Sequence, residues 1–340
     1  MTLAFESSRG RHAYCGPRNA ITVFLLCPRN VGIECAAIVQ REDGTCRHVN
    51  MHRQEGASHE CVSTEKIAQW KFDGFLSPFP FLDAEELQSC LAGVQRFETR
   101  LGSRINAHPD MKRRSMPHLL MPWAANLARD PRILDHVEDL IGPDILIFTS
   151  TFFIKEPHSP TIAAWHQDST YYGLEPKEEV TVWVALTEAS EAAGCMHALS
   201  FREKPRQLSH VSRVVRDSVN RASQVITEPL DEGSPVPMPL RPGWFSIHHG
   251  LCPHRSGPNT SNHRRIGLGL NYIPTNVKPS GSIRQAAMLV RGVDRYHHFE
   301  AAAWPKTELD SEAIATHERA MSLYRDAYLE EEARHARLSA

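Results

Sequence analysis

The chain has no apolar run approaching 18 residues, the length a membrane-crossing helix needs. It also lacks any basic run of the kind that tracks phosphates, and its net charge is −2, which argues against nucleic acid as a partner. None of its eight cysteines forms a C-x-x-C pair, so neither a zinc ribbon nor a thiol–disulfide motif has support. Internal repeats and low-complexity tracts are absent. A secretory signal is not convincing either. The run Ile21 to Leu26 follows Arg9, Arg11 and Arg18, but it sits at the lower size limit for a signal core and has no small-residue cleavage site. The reading is a cytoplasmic protein with free thiols.

What is present is an ordinary globular balance. Hydrophobic residues make up 41% and charged residues 23% of 340 positions, enough for one large domain with a buried core or two modest ones. Residues 1–62 carry five of the cysteines and show neither helical nor strand periodicity, so they read as an appended, disordered leader. Structure is expected from Ser63-Thr64-Glu65-Lys66 onward, giving a domain of residues 63–340.

Two helices follow clear start and stop rules. Asp83 and Glu86 form a capping-box pattern ahead of Leu87, Leu91, Val94, Phe97 and Leu101 on one face. Asp130-Pro131 opens the second, which carries Ile133, Leu134, Val137, Leu140 and Ile141 and stops at Gly142-Pro143. The rhythm then turns to strands over about 144–275. Ile145 to Ile154 is rich in β-branched and aromatic residues, and Val180, Val182 and Val184 alternate with Thr181, Trp183 and Ala185 as in a half-buried strand. Trp244–His249 and Ile266–Ile273 read as further strands, and a C-terminal helix is expected over about 311–337. Helices followed by many short strands imply an α+β chain whose main part is a β-sandwich or jelly roll backed by helices.

Within the strands lies His166-Gln167-Asp168. On a strand, residues i and i+2 share a face, so one metal can reach both side chains. Two imidazoles and a carboxylate on one face of iron leave three positions open for co-substrate and oxygen. The motif alone is weak, because nineteen histidines and roughly 6% aspartate give about one match by chance. His108-Pro109-Asp110 is such a match, and its proline and polar setting mark it as a decoy. The third ligand has three candidates in one segment: His248, His249 and His254. Beyond a turn at residues 256–262 come Arg264 and Arg265. An arginine there suits a dicarboxylate, because its planar fork binds carboxylate bidentately. Arg265 takes that role, and Arg264 is read as a solvent-facing turn residue.

The order and length of these segments make a resemblance specific. Trp165-His166-Gln167-Asp168, Val180 through Leu186 and Gly194-Cys195-Met196 resemble the phytanoyl-CoA dioxygenase (PhyH) family of Fe(II)/2-oxoglutarate-dependent oxygenases. So do His248 through Leu251 and His254 through Asn259, continuing to Arg265-Ile266-Gly267. The likeness spans most of residues 64–300. It implies a double-stranded β-helix, a cupin-like jelly roll, with supporting N- and C-terminal helices. By position it implies iron on His166, Asp168 and His254, and 2-oxoglutarate anchored by Arg265. Ser256 and Trp183 match side chains that touch the co-substrate, although Trp183 is equally readable as core. The implied reaction consumes 2-oxoglutarate and O2, releases succinate and CO2, and hydroxylates or desaturates a small-molecule substrate. Halogenation is disfavoured because Asp168 keeps the carboxylate that related halogenases lose. Gln167, Tyr171, Tyr172 and Phe153 are candidates for the substrate wall. The segment Ala198-Leu199-Ser200-Phe201-Arg202 departs from the family pattern in a loop expected to border the pocket. The competing reading is a non-catalytic cupin-like binding protein that lacks iron, the arginine or the open positions. Neither substrate identity nor oligomeric state is written in the sequence.

Overall fold

The computed structural model describes residues 36–40, 46–50, 62–202, 204–213, 218, 223–230 and 234–338. The chain divides into two compact units, Met1–His59 and Glu60–Ala340. Most of the expected leader lies outside the described residues. Inside the first unit, Ala36–Gln40 and Cys46–Asn50 pair as an antiparallel ribbon, where the sequence reading had placed no strand.

The second unit opens with helix α1 (Thr64–Asp73), capped by the Ser63 side chain and closed by Gly74 in the left-handed region, with φ of 79°. Helix α2 (Ala84–Leu101) begins with the expected capping box, in which Asp83 accepts from the Glu86 backbone and the Glu86 side chain accepts from Asp83. Helices α3 (Pro122–Ala128) and α4 (Pro131–Ile141) each carry proline in the first turn, where its missing N–H costs nothing. The long helix α5 (Ser311–Leu338) ends the unit. These helices bury their apolar faces against one sheet. Ile133, Leu134 and Val137 of α4 are fully enclosed, and each contributes on the order of 1.5–3 kcal/mol through burial.

The strands of the two main sheets, in chain order, are β1 (Phe75–Pro80), β2 (Ile145–Lys155), β3 (Ala163–His166), β4 (Val180–Ala185), β5 (Met196–Ala198), β6 (Val236–Met238), β7 (Trp244–His249), β8 (His254–Ser256), β9 (Arg265–Pro274), β10 (Ala286–Arg291) and β11 (Glu300–Ala301). The larger sheet has the order β11-β10-β2-β9-β4-β7-β1, and the smaller β6-β5-β8-β3. All pairings are antiparallel except β10 with β11. The unit is thus mixed α+β and mostly β. The large sheet also recruits β1 and β10, which flank the 144–275 stretch. Pro78 and Pro80 hid β1 from a pattern reading, yet β1 lies at the sheet edge, where a missing donor is tolerated.

Strand β4 was expected to be half-buried, but all six of its residues are buried. Its alternation is real but separates two buried environments. Val180, Val182 and Val184 join Ile266, Leu268, Leu270 and Tyr272 of β9 in the core beneath the helices. Thr181 and Trp183 face the other way, into a cavity between the two sheets. Register carries this division across the sheet, since Thr181 pairs with Asn271 and Trp183 with Gly269.

Candidate active site

The cavity between the sheets holds about 620 Å³ of empty space, counted with the part open to solvent. The large sheet contributes Thr151 and Phe153 from β2, Thr181 and Trp183 from β4, His248 from β7, and Arg265 and Asn271 from β9. The small sheet contributes His166 from the end of β3, and His254, Arg255 and Ser256 from β8. Alternate positions of β9 facing the cavity are glycines, and they create the room. A Cβ on Gly267 would overlap the Trp183 ring, and one on Gly269 would stand 2.8 Å from Phe153 Cε2. Both aromatic rings therefore lie across β9, and an Ala at either position would displace them.

His166 and His254 are directly paired across β3 and β8. With Asp168, they form a cluster whose ligand atoms lie within 4.8 Å of one another. Backbone contacts fix the imidazole tautomers. His166 Nδ1 is 2.8 Å from the Ala164 carbonyl and His254 Nδ1 is 2.9 Å from the Cys252 carbonyl. A carbonyl only accepts, so each Nδ1 carries a proton, which leaves Nε2 as the atom of each ring that can serve as a metal ligand. Those Nε2 atoms stand 3.5 and 3.6 Å from Asp168 Oδ1.

The other oxygen of Asp168 is occupied by the protein. Oδ2 accepts from Thr181 Oγ1 at 3.0 Å and from His248 Nε2 at 3.2 Å. Burial alone would raise the Asp168 carboxyl, but the imidazoles of His254, His166 and His248 hold it well below the usual carboxylate range. Behind it, Glu179 is buried and bonded by Ser169 Oγ at 2.9 Å and Asn271 Nδ2 at 2.8 Å. Burial, reinforced by Asp168, pushes the Glu179 carboxyl up to about 8.

At the far end of the cavity lies Arg265, 3% exposed. Its Nη1 donates to the Gly194 carbonyl, its guanidinium stands 5.4 Å from the Trp183 ring centre, and its Nε has no hydrogen-bond partner. Among the described residues no carboxylate pairs with it. An unpaired buried cation is costly, so this end of the cavity is built for an anion. The donor set at one end suits a divalent iron, and the unmatched guanidinium at the other suits the carboxylate of a co-substrate.

Of the residues expected here, His166, Asp168, His254, Arg265, Ser256, Trp183, Tyr172 and Phe153 all line the cavity. Gln167 does not. As residue i+1 it points away from its neighbours, donating to the Leu251 and Arg206 carbonyls and accepting from the Leu208 N–H, so it ties loops together. Tyr171 is also turned away, packed edge-on against Tyr328 and His335 of α5. Arg264 is no solvent-facing turn residue, because it pairs with Glu98 and Glu156 at 2.5 and 2.9 Å and clamps α2 to the sheet. The Leu199–Arg202 loop lines a separate cleft with Gln167, Leu251 and Pro253. His249 leaves the site too, accepting from the Leu251 N–H and lying against Trp70 and Phe201. The decoy behaves as one: Asp110 caps a short turn through Lys112 N, and its own N–H meets His108 Nδ1. Thr181, His248 as a donor to Asp168, Asn271 and Glu179 were not singled out as parts of the site. Strand parity on β4, which places Thr181 beside Trp183, was the signal that could have revealed the first.

Residues 70–267 match the protein family described as phytanoyl-CoA dioxygenase (PhyH). Among curated proteins, the chain is 28% identical over 234 residues to a probable alpha-ketoglutarate-dependent hypophosphite dioxygenase of Stutzerimonas stutzeri, covering 63% of this chain and 80% of that protein. It is 26% identical over 183 residues to phytanoyl-CoA dioxygenase domain-containing protein 1 of Rattus norvegicus, covering 53% and 59%. Among solved structures, a non-heme monooxygenase, ThoJ in its apo form, superposes with a TM-score of 0.69 at 28% identity, over 79% of this chain and 99% of that one. CytC3 with Fe(II) and alpha-ketoglutarate shares the fold with a TM-score of 0.55 at 23% identity, over 73% and 95%.

Proposed function

The chain belongs to the phytanoyl-CoA dioxygenase (PhyH) family, and from that premise we propose that it is an Fe(II)- and 2-oxoglutarate-dependent dioxygenase that hydroxylates a small organic substrate. The observation that carries the reading is one cavity holding the His166–Asp168–His254 cluster at one end and the unmatched Arg265 cation at the other. We assign the activity to residues 63–340, with a double-stranded β-helix core over about 144–275. The free thiols Cys90, Cys195 and Cys252 support a cytoplasmic setting.

Bound iron supplies oxygen activation coupled to decarboxylation of 2-oxoglutarate, giving succinate, CO2 and an oxidised substrate. The protein's share is positional. His166 and His254 offer Nε2 because their Nδ1 protons are held by backbone carbonyls. Asp168 offers Oδ1 because Thr181 and His248 hold Oδ2. These outer contacts keep one oxygen per carboxylate in play, which leaves coordination positions open. Arg265 pairs with the distal carboxylate of 2-oxoglutarate, and Ser256 and Trp183 wall that end. Phe153, Tyr172 and Met196 give the substrate side an apolar surface that keeps water away.

Asp168 retains its carboxylate, which favours hydroxylation over halogenation. The relatives' names cover hypophosphite and ectoine, so the substrate itself is not transferred from any of them. A non-catalytic cupin-like protein would lack part of the donor set, and no observation favours that reading. The test is anaerobic binding of 2-oxoglutarate to the Fe(II)-loaded protein, followed by its charge-transfer absorption. The expected result is an absorption band that requires both iron and 2-oxoglutarate and is lost in Arg265→Met. A band of equal strength in Arg265→Met would remove the assigned anchor.

A further inference from the structure

Arg265 has a second buried basic side chain beside it. On the neighbouring strand, Lys155 is its direct cross-strand partner. Lys155 is 0% exposed. Its Nζ donates to Ser256 Oγ at 2.8 Å and to the Gly257 carbonyl. Among the described residues, no carboxylate pairs with Lys155 or with Arg265. Two buried basic side chains therefore stand close together without a matching anion, Arg265 lining the cavity and Lys155 behind Ser256. Burial, with repulsion from Arg265, lowers the Lys155 ammonium to about 6, and burial lowers Arg265 to about 10.

The direction of the Lys155–Ser256 bond has a consequence for the cavity. A carboxylate bound beside Lys155 restores its positive charge, and an ammonium has three donors and no acceptor, so in that state Ser256 Oγ is the acceptor in the bond. The hydroxyl hydrogen of Ser256 is then free to be donated elsewhere, and Ser256 lines the cavity beside Arg265. We infer that Lys155 is a positioning residue for the co-substrate: it orients the Ser256 hydroxyl as a donor to the distal carboxylate that Arg265 binds, and supplies a second positive charge behind it. The inference rests on the 2-oxoglutarate reading above and adds a specificity determinant to it. A site with two cations discriminates sharply between a co-substrate with a distal carboxylate and one without.

The experiment compares anaerobic affinities of the Fe(II)-loaded full chain for 2-oxoglutarate and for 2-oxopentanoate, which has the same carbon chain without the distal carboxylate. Wild type, Lys155→Met, Lys155→Arg, Ser256→Ala and the Lys155→Met/Ser256→Ala double variant are measured, and iron binding and a thermal melt verify that each folds. The expected result is a 2-oxoglutarate preference that falls about tenfold or more in Lys155→Met. Lys155→Arg should retain part of that preference, and Ser256→Ala should add little to Lys155→Met, because the two act through one contact. A general packing defect would weaken both oxo acids equally and leave their ratio unchanged. An unchanged ratio in Lys155→Met overturns this inference and leaves the oxygenase reading standing. A wild-type protein with no preference between the two acids overturns both.

Discussion

Thr181 on β4 donates its hydroxyl hydrogen to Asp168 Oδ2 at 3.0 Å, so a strand of the large sheet fixes which carboxylate oxygen faces the two histidines. The contact has a direct consequence for metal binding. Thr181→Val keeps the shape of the side chain and removes the donor. Without that bond Asp168 rotates more freely and Oδ1 is no longer preorganised. Iron affinity should fall by about 10–100-fold, the usual cost of losing a partner behind a metal ligand, while the melting temperature of the metal-free protein changes little. Competition with a metal-sensitive dye under anaerobic conditions reads the affinity directly. An unchanged affinity would show that Asp168 is held by His248 alone.

Adjacent arginines should fail in opposite ways. Arg264 clamps Glu98 and Glu156, with about 18% of its own side chain exposed. Arg264→Ala removes a donor from each of two half-buried carboxylates, of which Glu156 keeps Arg104 and Glu98 keeps the Ile105 N–H, and the expected loss is about 1–3 kcal/mol of stability with 2-oxoglutarate affinity retained. Arg265 has no such partner. Arg265→Met should weaken 2-oxoglutarate binding by about 100-fold or more and leave the melting temperature the same or higher, because an uncompensated buried cation is removed. Thermal melts and anaerobic titrations of the two variants, side by side, separate the roles.

Glu179 gives the metal-free protein a pH signature. Its carboxyl is raised from 4.5 to about 8 by burial and by Asp168. The native state therefore holds this proton more tightly than the unfolded chain does. The resulting stability is fully present below about pH 4.5 and is lost as pH rises through about 8. Thermal stability of the metal-free protein should decline across that window by on the order of a few kcal/mol. Glu179→Gln imitates the protonated form, so the decline should flatten. A steep decline that persists in the variant would assign it to other groups.

Much of this arrangement was legible in the sequence, and the parts that were not have physical causes. The capping box at Asp83, the proline start at Pro131 and the long strands at 145 and 265 depend on local rules, and these elements stand where those rules put them. His166 and Asp168 were readable although the strand ends at His166 and Asp168 opens a short 3-10 turn, because the backbone stays extended through Gln167 and so keeps i and i+2 on one face. The same parity should have removed Gln167, which lies between them and faces the opposite way. Lys155, Thr181 and Glu179 were missed because their importance depends on burial and on cross-strand register, and neither is visible in one strand read alone. Arg264 was misjudged for a related reason: its partner Glu98 is 166 residues away in the chain. Tyr171 was lost to α5, whose position against the sheet no local pattern announces.

The central claim is tested most directly by succinate formation. Protein loaded with iron under anaerobic conditions is given 2-oxoglutarate, exposed to oxygen, and compared with Asp168→Ala. The account predicts slow succinate release by the wild type even without added substrate, and none by the variant. Equal succinate release by both, or a wild type that neither binds 2-oxoglutarate nor forms succinate, would contradict it.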